Sequence, residues 1–213
     1  MSLREFLKKI EDEVKRRDEV RQELHTAMRK ATRLSKQAIL LIHKERLKDA
    51  ENTLKKAEKL FTVLEEASES YPDLARSGIV DAAFQEYAEA CILLRLIGEG
   101  KFISLEEAGV PMISYVLGLA DVVGELRRRV LDSIRRGKIQ TAENSLELME
   151  TIYSELMNMD EAYFLIPGLR KKCDTARRII EATRGDITLE TRKISLERSI
   201  KELRKTIIEG QRR

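Results

Sequence analysis

The stretch Val110–Leu126, VPMISYVLGLADVVGEL, limits what this chain can fold into more than any other. Charged residues make up 36% of the sequence, yet this run holds only two of them, Asp121 and Glu125. An apolar run of this length in so polar a chain is expected to be the buried part of a core helix, which the pattern extends over residues 110–134. Asp121 and Glu125 stand four residues apart and therefore share a face. On a 3.6-residue turn Gly118 and Gly124 lie about 60° to either side of Asp121. A mid-helix glycine costs about 1 kcal/mol against alanine and clears side chains away beside the carboxylates. Two readings are open: a narrow solvated stripe with Gly118 serving close helix packing, or acids that hold a cation.

The outer bounds agree with a helical protein. With 213 residues, 42% of them apolar, the chain can bury one sizeable core. Three prolines, ten glycines and few period-two segments point to an all-α fold. No stretch has membrane-spanning length or the pattern of a signal peptide, so a soluble cytoplasmic protein without membrane attachment is expected. Cys91 and Cys173 are isolated in helical patterns, which argues for a reducing compartment and against a zinc site. Charge is unevenly spread, with residues 1–48 at net +6, 49–126 at −9 and 127–213 at +6. An acidic middle between basic ends suits a metal site flanked by surfaces for a polyanion, although charge on helices is often only a solvated face.

The first helix is expected over Leu3–His43. Its seven-residue apolar rhythm starts at Leu3, Leu7, Ile10 and Val14 and, continued strictly, puts Arg17 and Arg21 in the seam. If the helix drifts off the heptad, Val20 takes the buried position instead. Arg29, Arg33 and Lys36 add positive charge, and a basic helix of this kind can hold phosphates without reading sequence. A second amphipathic helix is expected over Arg46–Tyr71, broken at Tyr71-Pro72.

A third helix, about Ile79–Ile97, carries a second acid pair in QEYAEA. Glu86 and Glu89 are three apart on one face, and Glu86 falls at the centre of the apolar side. A buried carboxylate must be protonated, paired with a base or bound to metal. Arg95 points roughly away from Glu86, and neither stretch supplies an obvious internal base. Residues 98–111 read as a connector, with Ser104–Glu107 a capping box and Pro111 opening the central helix. Helices over about Thr141–Met159, Glu161–Arg184 (interrupted by Ile166-Pro167-Gly168) and Leu189–Glu209 follow. The last has Leu189, Leu196, Ile200, Leu203 and Ile207 as a narrow seam, which suits coiled-coil packing on its own subunit or on a neighbour. The Gln211-Arg212-Arg213 end is expected to fray.

Glycine-rich phosphate loops and nucleophile elbows are absent, and His25 and His43 stand outside any Glu-x-x-His arrangement. The remaining constellation is all carboxylate: Glu86, Glu89, Asp121 and Glu125. Oxygen-only donors select hard cations such as Mg²⁺ or Mn²⁺, which activate water and offset phosphoryl charge.

QEYAEA (85–90) followed by SYVLGLADVVGELRRRVLDSI (114–134) resembles the signature of the translin/Trax family, in its Trax-like branch. SKQAILLIHK (35–44) and LRKKCDTARRIIEATRG (169–185) are similar to further family segments, and the likeness spans roughly residues 15–185. The resemblance implies an antiparallel, elongated bundle of about seven helices that assembles into a closed, octamer-like shell around nucleic acid. It also implies an Mg²⁺-dependent endoribonuclease, with Glu86, Glu89 and Asp121 as its metal-holding acids and Glu125 accompanying them. Arg17, Arg21, Arg29, Arg33 and Lys36 would then meet RNA, or single-stranded DNA, on the inner wall of a homo-oligomer. The connector at 98–111 is short beside that of eukaryotic members. The domain is expected over residues 1–186, with 187–213 a helical extension that the resemblance does not reach. A translin-like shell that binds nucleic acid without cutting it is the alternative.

Overall fold

The computed structural model describes residues 2–75 and 77–210, so the frayed end expected at Gln211–Arg213 lies outside the described residues. Every regular element among them is a helix, as composition and periodicity require. Seven are long and three are single short turns. The chain divides into two compact units, Met1–Leu119 and Ala120–Arg213.

The first unit is organised by α1, Leu3–His43, as read from the sequence. Ser2 caps it: the Ser2 hydroxyl accepts from the Glu5 amide, and the Glu5 carboxylate accepts from the Ser2 amide. From Leu24 onward α1 buries Leu24, Met28, Ala31, Ser35, Ala38 and Ile42 at intervals of three or four. Its first four turns stay exposed. The heptad does drift, because Val20 packs on the core around Leu24 and Met28 while Arg17 and Arg21 face solvent.

The single helix expected over 46–71 is two helices, α2 (Leu47–Glu58) and α3 (Thr62–Ser70). Between them the hydrogen bonds shorten in span, Leu60 N–H to Ala57 O and Phe61 N–H to Glu58 O, each 2.9 Å. That tighter turn accompanies the seating of Phe61 flat on Phe84, with ring centroids 4.3 Å apart and 8° between planes. Aromatic stacking worth about 1 kcal/mol helps offset the interrupted helix. The short α4 (Pro72–Ala75) has proline in its first turn, where no amide is needed.

Next comes α5, Gly78–Glu99, closed by Gly100 at φ +68°, a left-handed conformation that only glycine adopts freely. The Ser104–Glu107 box caps the short α6 (Leu105–Ala108) as the sequence implies. α7, Met112–Arg135, then runs through the boundary between the units.

The second unit holds the rest of α7 with α8 (Ile139–Met157), α9 (Asp160–Leu165) and α10 (Leu169–Gly210). α8 and α10 pack against each other, and Met149, Ile152, Leu156, Leu169, Cys173 and Ile180 are buried. The two helices expected over 161–184 and 189–209 are not separate: one helix runs through Gly185 without a break. A single glycine costs about 1 kcal/mol and cannot by itself stop a helix whose neighbours all favour it. Residues 187–210 are therefore a continuation of α10. Among the described residues no helix is long and apolar enough to cross a membrane.

Candidate functional site

The two acid pairs have different surroundings. On α5, Glu89 is buried at 6% exposure and Glu86 is half-buried. The reason for the burial lies in α7. A Cβ on Gly118 would come within 2.8 Å of Gln85 O and 2.9 Å of Glu89 N. The backbone of α7 therefore rests on the backbone of α5 at the turn that carries both glutamates, and only glycine permits it. Close packing is thus the role of Gly118.

Glu86 has a base beside it. Lys36 Nζ, from α1, lies 3.4 Å from Glu86 Oε2. Neither local stretch supplies an obvious base, and the partner comes from another helix, α1. Arg95 faces away, as its position implied, and pairs with Glu99 and with Glu107, the latter at 3.1 Å. Behind the glutamates Tyr87 and Cys91 are buried, and burial pushes the Cys91 thiol up to about 12, so it remains a neutral thiol. Burial raises the Tyr87 phenol further.

The expected RNA-contacting residues on α1 fall into two groups. Arg17 pairs with Asp73, its guanidinium 5.6 Å from the centre of the Tyr71 ring. Arg21 Nε donates to Asp18 at 3.0 Å. Arg29, Arg33 and Lys36 lie within about 60° of one another on the helix. They form a row of exposed cations that ends at Glu86.

In the second unit Asp121 is half-buried and accepts a hydrogen bond from Lys172 Nζ of α10. Asp121 and Lys172 line a cleft of about 400 Å³ together with Gly124, Lys171, Thr175 and Ile179. Gly124 would meet nothing within 4 Å of an added Cβ, so this glycine does keep space open beside the acid. Glu125 has Arg128 Nη1 at 3.9 Å, one turn on. Arg127 pairs with Asp186. Lys172 was not apparent as a site residue from the sequence. The signal available was its place in the basic run LRKK at the start of an amphipathic helix.

Among the described residues no three His, Cys, Asp or Glu side chains form a ready-made metal cage. The donor chemistry nevertheless suits a hard divalent ion: the four acids offer carboxylate oxygens only, and both cysteines are buried.

A model of the Translin family matches residues 19–183. An uncharacterized protein of Methanocaldococcus jannaschii is 32% identical over 196 residues, covering 88% of this chain and 83% of the relative. Among solved structures, the AfC3PO–duplex RNA complex superposes with a TM-score of 0.75 at 34% identity, over 87% of this chain and 96% of that one. AfC3PO alone gives 0.76 at 35% identity with the same coverage. Apo-NeC3PO gives 0.76 at 26% identity, over 86% and 96%.

Proposed function

This chain belongs to the translin family, and from that premise we propose that it is a homo-oligomeric RNA-binding protein of the Trax-like branch that cleaves RNA with a divalent metal. One observation carries the reading: the exposed cations Arg29, Arg33 and Lys36 lead along α1 to Glu86, next to the buried Glu89. A phosphodiester backbone followed by Lys and Arg along a helix is held regardless of sequence. Here such a track stops at carboxylates, which repel phosphate unless a cation stands between them. The solved complex of a relative at 34% identity with duplex RNA supports RNA as the polyanion. Single-stranded DNA shares the same backbone charge.

Glu86, Glu89 and Asp121 are the proposed ligands of Mg²⁺ or Mn²⁺, with Glu125 as an accompanying acid. When bound, such an ion activates water and offsets charge on the phosphoryl group. The protein's own residues have separable tasks. Burial lowers the dielectric around Glu89 and strengthens its interactions with a cation. The Gly118 contact fixes the turn of α5 that carries both glutamates. Lys36 and Lys172 each neutralise an acid and stand where a phosphate oxygen can reach them. Arg29 and Arg33 set the register of the backbone. Assembly into eight copies in a closed shell would place several such tracks around one nucleic acid.

The ion pairs Lys36–Glu86 and Lys172–Asp121 favour a second reading, in which lysine satisfies the acids and the protein binds RNA without cutting it. Incubation of labelled single-stranded RNA with the protein, in Mg²⁺ or in chelator, separates the two. The proposal expects cleavage in Mg²⁺ only and binding in both. Binding without cleavage in either condition supports the second reading.

A further inference from the structure

The end of α10 carries an apolar seam that its own unit does not cover. Between Leu169 and Ile187 the helix buries Leu169, Cys173, Ala176, Ile180, Thr183 and Ile187, all on one side. Beyond Thr188 most of the apolar residues change sides; Ile194, 40% exposed, stays on the core face, and Ile208, 53% exposed, lies toward its edge. Leu189, Leu196, Ile200, Leu203 and Ile207 lie roughly 180° round the helix from that core face, and each is 43% to 69% exposed. Three heptads of helix therefore present a stripe pointing away from the packing that holds the helix in place. Water-exposed helix ends draw their stability from packing on something else. This stripe lies beyond residues 19–183, the part of the chain that the family model matches.

From this pattern we infer that residues 189–207 of α10 form a parallel, two-stranded coiled coil with the same segment of a second copy of the chain. The identity of the seam residues selects that partner. Leucine occupies one core position of each heptad, at 189, 196 and 203, and isoleucine occupies the other at 200 and 207. β-Branched residues at the first core position with leucine at the second favour two parallel strands. Lys193 takes the remaining first-position site, and a single lysine there fixes register and strand number. The flanking charges agree. In the parallel register Arg192 of one copy meets Glu197 of the other, twice by symmetry, and no like-charged flanking pair arises among the described residues. In the antiparallel register centred on the same seam, Glu197 would face Glu197. The intrahelical pairs Arg198–Glu202 and Lys205–Glu209 sit on the opposite side, where they solubilise the outside of the coil. The interface stands or falls independently of whether RNA is cut.

Disulfide trapping of the full-length protein with diamide tests this. Leu203→Cys places its thiol in the seam opposite its own copy, whereas Glu202→Cys places one on the outside. Covalent dimer is expected at least tenfold faster for Leu203→Cys. Arg192→Glu in the Leu203→Cys background should slow trapping several-fold, and adding Glu197→Arg should restore it, since the swapped charges attract again. Equal rates for Leu203→Cys and Glu202→Cys would overturn the inference. So would preferential trapping of Leu203→Cys by Leu7→Cys in mixed samples, which would make the exposed stripe of α1 the occupant, or a charge swap that fails to rescue.

Discussion

Gly118 and Gly124 sit six residues apart on one helix, look alike in the sequence, and do opposite things. Gly118 lets backbone meet backbone at the turn carrying Glu86 and Glu89, while Gly124 faces open space in the cleft beside Asp121. The acids nearby differ accordingly. Glu89 is positioned by packing and buried, whereas Asp121 is held by the Lys172 ammonium on a half-open wall. A carboxylate set by backbone contact is sensitive to shape. One set by an ion pair is sensitive to charge.

That contrast is broken most severely at Gly118. Gly118→Ala forces a Cβ to within 3 Å of two backbone atoms, and overpacking of this kind costs about 1–3 kcal/mol. Gly124→Ala meets no atom and should stabilise α7 by about 0.5–1 kcal/mol through helix propensity. Chemical denaturation of the two variants should show shifts of opposite sign. Equal shifts would erase the distinction between the glycines.

The next effect concerns charge. Lys172→Met removes the ammonium that donates to the half-buried Asp121, and the loss should be about 1–2 kcal/mol, the scale of a hydrogen bond to a charged group. Asp121→Asn/Lys172→Met together should recover part of it, so a double-mutant cycle reads the coupling directly. Additive losses would mean that the pair contributes nothing of its own.

On the proposed binding surface, Arg29→Ala/Arg33→Ala should weaken RNA affinity similarly for unrelated sequences and reduce the salt slope by roughly 2, one unit per lost phosphate contact. Arg17→Ala/Arg21→Ala should do less, because both guanidiniums are already engaged with aspartates. The reverse ranking would move the RNA track to the first half of α1. The smallest effect is at Cys91, whose thiol is pushed up to about 12 by burial. Its alkylation at pH 8 in the folded protein should be at least tenfold slower than that of an exposed thiol. Fast labelling would contradict the tight packing behind the glutamates.

Much of this architecture was legible in the residues. The bounds of α1, the capping box at Ser104 and the two acid pairs follow from periodicity and local hydrogen-bond chemistry, which act within a few residues. The break between α2 and α3 was not, because Phe61 stacks on Phe84 from a separate helix and no local signal announces it. The helix end expected at Arg184 is absent, because the glycine that follows it is a small cost within a 42-residue helix. The lysine partners were missed for the same reason as Phe84. Lys172 lies 51 residues from Asp121, and periodicity assigns a side chain to a face without saying which helix lies opposite.

Glu89→Gln tests the central claim most directly, since it keeps the shape of the buried side chain and removes its charge. Labelled single-stranded RNA is incubated in Mg²⁺ with wild-type protein and with the variant, and binding and oligomer mass are measured on the same samples. The account predicts that the variant binds RNA and assembles like wild type while cleavage falls by at least a hundredfold, as expected when a charge essential to metal-assisted hydrolysis is lost. Undiminished cleavage by Glu89→Gln would contradict it.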